Sequence, residues 1–216
     1  MGFEGPGINP YAPPQAVNDL ASFSTADAER PIEGADFPIR AAARVVDVVV
    51  HMLAGAIAGF LAGVVTALLE RAGVVQPGWL QRIRGLSALG LGLGLLASVL
   101  FHTICEGMAG ATPGKYVCGL RVVLDNGRRC NIKAALIRSL GYFIDALFCG
   151  LIAYSAMKSS PLRQRHGDRW ADTVVVSKRQ LPEGSQATAG TTGIAWAIAL
   201  GLTLVLQALA LVVKAL

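Results

Sequence analysis

Two stretches of the sequence set an arginine and an aspartate seven positions apart in otherwise apolar chain. One is Arg40-Ala-Ala-Ala-Arg44-Val-Val-Asp47; the other is Arg138-Ser-Leu-Gly-Tyr-Phe-Ile-Asp145. Seven residues are nearly two helical turns, so each pair shares a helix face with about 10 Å between its members. That is too far for an ion pair within one helix. Across two antiparallel helices the spacing fits: Arg138 would meet Asp47, and Arg40 or Arg44 would meet Asp145. Charges in apolar segments are costly and normally paired. They serve either ion or proton handling or the fixing of helix packing. Arg44 and Asp47, at i and i+3, also allow a local pair.

His51 lies one turn beyond Asp47. An Asp–His ladder can relay protons; a hydrogen bond to a neighbouring helix is the plainer use. His102, near Glu106, invites the same two readings. Gly55, Gly59 and Gly63 repeat GxxxG, as do Gly90 and Gly94. Such steps let helices approach closely. Positions 47, 51, 55, 59 and 63 read as one stripe, which would turn Asp47 toward protein.

Thr112-Pro113-Gly114-Lys115 reads as a helix start, with Thr at the N-cap and Pro at the first helical position. It is not a Walker A loop, which needs four residues between its first Gly and the Gly-Lys pair. Gly110 leaves three, and Tyr116 follows the lysine. Further on, Asp168 sits among Arg163, Arg165 and Arg169 in a dense charged loop. It reads as an ionised structural clasp, with the basic residues facing anionic headgroups. No Ser/His/Asp order, glycosidase carboxylate pair or metal triad is present. The expectation is a protein that is not an enzyme and uses no metal or cofactor.

These residues need elements to position them, and composition says which. Of 216 residues, 53% are hydrophobic and only 15% charged. Soluble domains carry about 25% charged residues. The apolar residues gather in blocks at about 45–69, 85–104, 134–157 and 193–213, each near the roughly 20 residues of a membrane span. Disorder over most of the chain and a disulfide-rich secreted domain are excluded. The net charge of +5 sits in loops without interleaved aromatics, which argues against nucleic acid. Cys105, Cys118, Cys130 and Cys149 form no CxxC and read as free thiols. Residues 1–38 are polar and proline-rich, which predicts a cytoplasmic lead and no cleavable signal. Trp79, between the first two blocks, reads as an interface anchor.

Leu120–Leu124 reads as a strand, Asp125-Asn126-Gly127 as a tight turn and Arg128–Ile132 as the return. Val174–Val176 would join as a third strand, because a lone hairpin is marginal. Lys/Arg counting gives no orientation if all four blocks cross. If the third block enters and leaves on one side, 14 basic residues fall with the N-terminus and four opposite. That favours a cytoplasmic N-terminus and a third block made either of two half-length helices breaking near Gly150 or of an interfacial helix pair. The expected fold is an all-α integral membrane protein with three to four transmembrane or re-entrant segments and a small cytoplasmic β hairpin or three-stranded element. Its parts are a tail at 1–37, a membrane domain at 38–179, a linker at 180–192 and a final helix at 193–216.

Together these residues resemble the RDD family of bacterial membrane proteins. The resemblance rests on Arg40…Asp47, on Glu106-x3-Gly110-x-Thr112-Pro113-Gly114-Lys115-x3-Gly119-Leu-Arg-Val-Val, and on Arg163-Gln-x2-Gly-Asp168-x2-Ala-x-Thr-Val-Val-Val. It covers about 38–178. Arg40, Asp47 and Asp168 fall on the name-giving positions. Asp172 stands where the family commonly has glycine, and Gly167 where histidine is common. The resemblance implies a bacterial inner-membrane protein that transports an unassigned ligand, with cation/proton exchange associated with some members. Transport of cations, protons or another small ligand, in a homo-oligomer within the bilayer, would use Arg40, Arg44, Asp47, His51, Arg138, Asp145 and Asp168. The rival is a non-transporting scaffold or accessory protein whose cytoplasmic loops dock a partner.

Overall fold

The computed structural model describes residues 32–76, 78, 88–182 and 187–213. The N-terminal lead to residue 31, Trp79, Arg82, Arg84 and Lys214 lie outside the described residues. In chain order the elements are α1 (Phe37–Arg71), α2 (Ala88–Ala109), α3 (Pro113–Val117), β1 (Leu120–Leu124), α4 (Ile132–Asp145), α5 (Leu151–Lys158), α6 (His166–Trp170), β2 (Thr173–Ser177) and α7 (Ala189–Val213). Single 3-10 turns occupy Leu147–Gly150 and Lys178–Gln180. Among the described residues, α1, α2 and α7 are long and apolar enough to cross a membrane.

Helix α1 starts with proline in its first turn and ends at Ala72, followed by Gly73 at φ +71°. Pro inside the start and a left-handed Gly past the end are favoured at those places. Its buried residues are Arg40, Ala43, Asp47, Ala54, Ala58 and Thr66. Val45, Met52, Leu53, Phe60 and Leu68 point outward. In water this would be a large apolar patch; in a bilayer it is the lipid-facing side.

The expected glycine stripe does not hold along its length. Gly55 faces the Gln207 side chain of α7, but nothing lies within 4 Å of a Cβ built on Gly59 or Gly63. Each i+4 step turns a helix about 40° past a full circle. By Gly63 the line has therefore rotated away from Asp47, and the buried face follows Ala54 and Ala58 instead. Gly94 likewise has no neighbour within 4 Å.

Helix α2 runs antiparallel to α1. The His51 ring lies 4.4 Å from Phe101 and 5.6 Å from His102. Helix α7 runs antiparallel to α2, with the Trp196 indole N–H donating to the Ala111 carbonyl at 3.2 Å. Phe101, Cys105 and Ala199 form the buried contact, flanked by Val50. The starts of α1 and α7 and the end of α2 thus share one end of the bundle. The segment between α2 and α7 is built onto that end.

The third apolar block is not one helix. Helices α4 and α5 are separated by the 3-10 turn, with Phe148 at φ +52° and Gly150 at φ +84°. This is the break expected near Gly150. Helix α4 is amphipathic: it buries Ala134, Ala135, Arg138, Gly141 and Asp145 and exposes Leu136, Leu140, Phe143 and Ile144.

The β element differs from its expected form. Strand β1 pairs antiparallel with β2 directly, with Val122 opposite Val175 and Val123 opposite Val174. The tight turn is present, with Gly127 at φ +78° and the Leu124 N–H donating to the Arg128 carbonyl at 2.8 Å. The return is a single bridge, Val123 to Arg129. It stops because Asn131 caps α4, its side chain accepting from the Ala134 N–H at 2.8 Å. An asparagine at that place starts a helix. The N-terminal segment adds another bridge, Gly34 to Val176. Both faces of the sheet are covered. Leu120, Val122 and Val175 pack with Ala43, Ala134 and Ala135, while Val123, Val174 and Val176 pack with Ile32, Leu162 and Leu181. A two-sided core explains the unbroken valine run, which lacks polar alternation.

Candidate functional site

Asp168 is fully buried in the short helix α6, and three guanidiniums converge on it. Arg40 of α1 pairs with its carboxylate. Arg138 Nη2 of α4 lies 3.1 Å from Oδ1 without making a hydrogen bond. Arg165 binds from the preceding turn, with its backbone N–H at 3.2 Å and Nη2 at 3.3 Å. Burial alone would raise the carboxyl pKa. Arg165, Arg40 and Arg138 outweigh it and hold the group far below the usual carboxylate range. Of the three arginines expected around Asp168, Arg165 binds it, and Arg40 and Arg138 take the places of the other two. Arg163 turns outward to Glu33 and Asp36, at 3.2 and 2.8 Å, and Arg169 reaches Ser159.

Arg138 is 1% exposed, and its Nε lies 2.8 Å from Glu106 Oε2 of α2. Glu106 also pairs with Lys115. The result is a chain of alternating sign: Arg40, Asp168, Arg138, Glu106, Lys115. Burial lowers the Lys115 pKa; Glu106 opposes it, and the value is about 8.

Asp47 stands beside this chain. Its Oδ2 accepts from the Thr112 hydroxyl at 2.7 Å and its Oδ1 from the Gly114 N–H at 2.8 Å. Thr112 caps α3 as expected, accepting from the Lys115 N–H. Gly114 is required by space. A Cβ there would collide with the Ala43 carbonyl oxygen and come within 2.9 Å of Asp47 Oδ1. Gly119 serves its conformation instead, at φ +66° between α3 and β1.

The symmetric pairing inferred from the two seven-residue spacings is not what forms. Arg138 meets Glu106 and Asp168, not Asp47. Arg40 meets Asp168, not Asp145. Asp145 accepts from the backbone N–H groups of His166 and Gly167 at 3.2 and 3.4 Å, with Arg165 Nε at 3.9 Å. His51 Nδ1 lies 2.9 Å from the Asp47 backbone carbonyl, not its carboxylate, and no Asp–His side-chain ladder forms. His51 Nε2 and both His102 ring nitrogens are buried without partners. Sequence spacing gave Glu106 and Lys115 no place in the charge network. A carboxylate in the last turn of an apolar helix, nine residues before a lysine, is the signal that points to them.

These groups border a cavity of about 360 Å³. Its polar wall carries Arg40, Arg44, Lys115, Arg138 and Arg165 with Asp47, Glu106 and Asp145. Its apolar wall includes Phe37, Ala41, Ala146, Ala153 and Met157. Arg44 stacks on Tyr142, 4.0 Å from the ring centre. Its Nε is buried without a partner, and among the described residues no carboxylate lies within ion-pair distance. Also among the described residues, no group of three His, Cys, Asp or Glu could hold a metal.

Three apolar spans closed at one end by a buried charge network define a helical membrane protein. The model of the RDD family matches residues 35–172, well over half of the chain, and the protein belongs to that family. No curated protein and no solved structure matches it significantly. Arg40 and Asp168 form a direct ion pair, and Asp47 lines the cavity together with Arg40. Asp172 sits at φ +47°, a conformation glycine adopts freely and aspartate tolerates. Gly167 lies against Gly141, and a Cβ on it would come within 2.9 Å of the Arg138 carbonyl oxygen.

Proposed function

We propose that the protein is a multi-pass protein of the bacterial cytoplasmic membrane that takes a small ligand into the charged cavity and carries it across, as a homo-oligomer. One observation carries this reading. The charged side chains border an open space of about 360 Å³, within the size range of small-molecule sites. Five cationic side chains and three carboxylates facing one space of this size offer a small ligand both room and charged partners. Positive-inside charge supports an N-terminus in the cytoplasm. Helix α1, with 35 residues, is about 52 Å long, against roughly 30 Å of hydrocarbon. Its first turns, with Arg40 and Arg44, then lie at the cytoplasmic boundary.

A cation or proton would use Asp47. That carboxylate already accepts two hydrogen bonds, and Glu106 and Asp168 are ion-paired. The geometry therefore favours another small ligand over a bare cation. The scaffold reading draws on a different observation: the alternating chain ties segments around residues 40, 106, 138 and 168 together, as a structural clasp would. The test is flux through full-length protein in liposomes, following sodium, protons and hexyl phosphate, for wild type and Asp47→Asn. Saturable flux of one solute, lost in a folded variant, is expected. Folded wild type that moves none of the three gives the site to the scaffold reading.

A further inference from the structure

We infer that the ligand of this cavity is an amphipathic organic oxyanion, held by Arg44 at its charged end and by the apolar wall at the other. The inference rests on the reading of the cavity as a ligand site and names the chemistry that site selects.

Charge carries the first part. Five cationic side chains line the cavity against three carboxylates. Counting Asp168 behind the wall, one positive charge is still unmatched. Among the described residues Arg44 is the lining cation with no carboxylate in ion-pair distance: Asp168 serves Arg40, Arg138 and Arg165, Glu106 serves Lys115 and Arg138, Asp145 lies near Arg165, and Asp47 is held by Thr112 and Gly114. A half-buried guanidinium without a counter-ion is costly, and an oxyanion delivers paired acceptors in the geometry guanidinium prefers. Arg44 is oriented in advance, because its plane rests on Tyr142 and its Nε has no protein partner. His102, 7% exposed, lines the same cavity with both ring nitrogens unpartnered. It adds a donor that carries no fixed negative charge.

The apolar lining carries the second part. Ala41, Ala146, Ala153 and Met157 offer no hydrogen-bonding side chain except the Met157 thioether, which already meets Arg40. A fully hydrated ion such as inorganic phosphate would leave that wall wetted and unfavourable. A molecule with an oxyanion head and a short hydrocarbon part meets both kinds of lining residue. A soluble organic phosphate and a phospholipid headgroup share this chemistry.

The test is equilibrium binding to full-length protein in nanodiscs of neutral lipid, with hexyl phosphate, inorganic phosphate and hexyltrimethylammonium as probes. Hexyl phosphate should bind saturably and at least about tenfold more tightly than inorganic phosphate, and hexyltrimethylammonium should not bind. Arg44→Gln should weaken hexyl phosphate by about tenfold or more, with the thermal midpoint nearly unchanged because no ion pair is lost. If that variant fails to fold, Ala41→Leu narrows the cavity without changing its charge and should weaken binding as well. Dioctanoyl phosphatidic acid that displaces hexyl phosphate identifies a lipid as the source. Failure to displace it identifies a soluble anion. Equal affinity for inorganic phosphate, preference for the ammonium probe, or no binding to folded protein overturns the inference. Hexyl phosphate binding without flux would leave the inference standing and remove transport. Sodium flux without hexyl phosphate binding would do the reverse.

Discussion

The two ends of α1 are held by different physics. From Ala54 onward the helix presents an apolar surface with small residues on its inner face, and a Cβ built on Gly59 or Gly63 would have nothing within 4 Å. Its first eleven residues, Phe37 to Asp47, meet α3, α6 and the turn before α6 through Arg40, Ala43 and Asp47. The far end needs only hydrophobicity and length, so many sequences satisfy it. The near end needs particular partners at particular distances, so few do.

The largest effect that would break this comparison is at Asp168. Asp168→Ala leaves three guanidiniums without their shared acceptor, and losing one partner of a buried ion pair costs about 3–5 kcal/mol. The expected result is loss of folded protein, read as abundance in membranes and as a collapsed thermal midpoint. An unchanged midpoint would mean the near end is as tolerant as the far end.

Alanine at two glycines sharpens the contrast. Gly114→Ala drives a Cβ into the Ala43 carbonyl and the Asp47 carboxylate and should cost about 1–3 kcal/mol. Gly59→Ala meets open space and should be neutral or stabilising by up to about 1 kcal/mol. Comparing the two melting curves checks both. Equal shifts would contradict the geometry.

The third test is titration. Lys115 faces Glu106 of α2, Asp47 of α1, Arg138 of α4 and Arg165 before α6. Its folded pKa of about 8 lies below the ordinary 10.5. Between those values the unfolded chain holds a proton that the folded chain has released, so stability rises with pH across that window. Below about 8 both states are protonated and the cost of the buried charge is constant. The thermal midpoint of wild type should therefore climb relative to Lys115→Met from pH 8 to 10.5. A flat difference would place the ammonium in solvent.

The same contrast explains what could be read from the sequence. The three spans, the break at Gly150 and the cap at Thr112 rest on local patterns, and the fold has them. The pairing of Arg138 with Glu106 and Asp168 does not rest on spacing. It depends on which helix ends meet, and the repeated seven-residue interval pointed to a symmetry the tertiary structure lacks. The valine run was legible as a strand joining the Leu120–Leu124 segment, and it does so, but the return strand expected at Arg128–Ile132 is only a single bridge. Asn126-Gly127 announces a turn, and Asn131 turns the chain into α4 before a second strand can extend.

The pair of Arg40 with Asp168 also sets a schedule. Its members are 128 residues apart. At about 5–20 residues per second of synthesis, Arg40 waits roughly 6–25 s for its partner to be made. During that interval α1, α2 and α4 are synthesised, and the arginine must be kept solvated until Asp168 follows. The clasp is therefore a late event, and it can close only when the last third of the chain arrives.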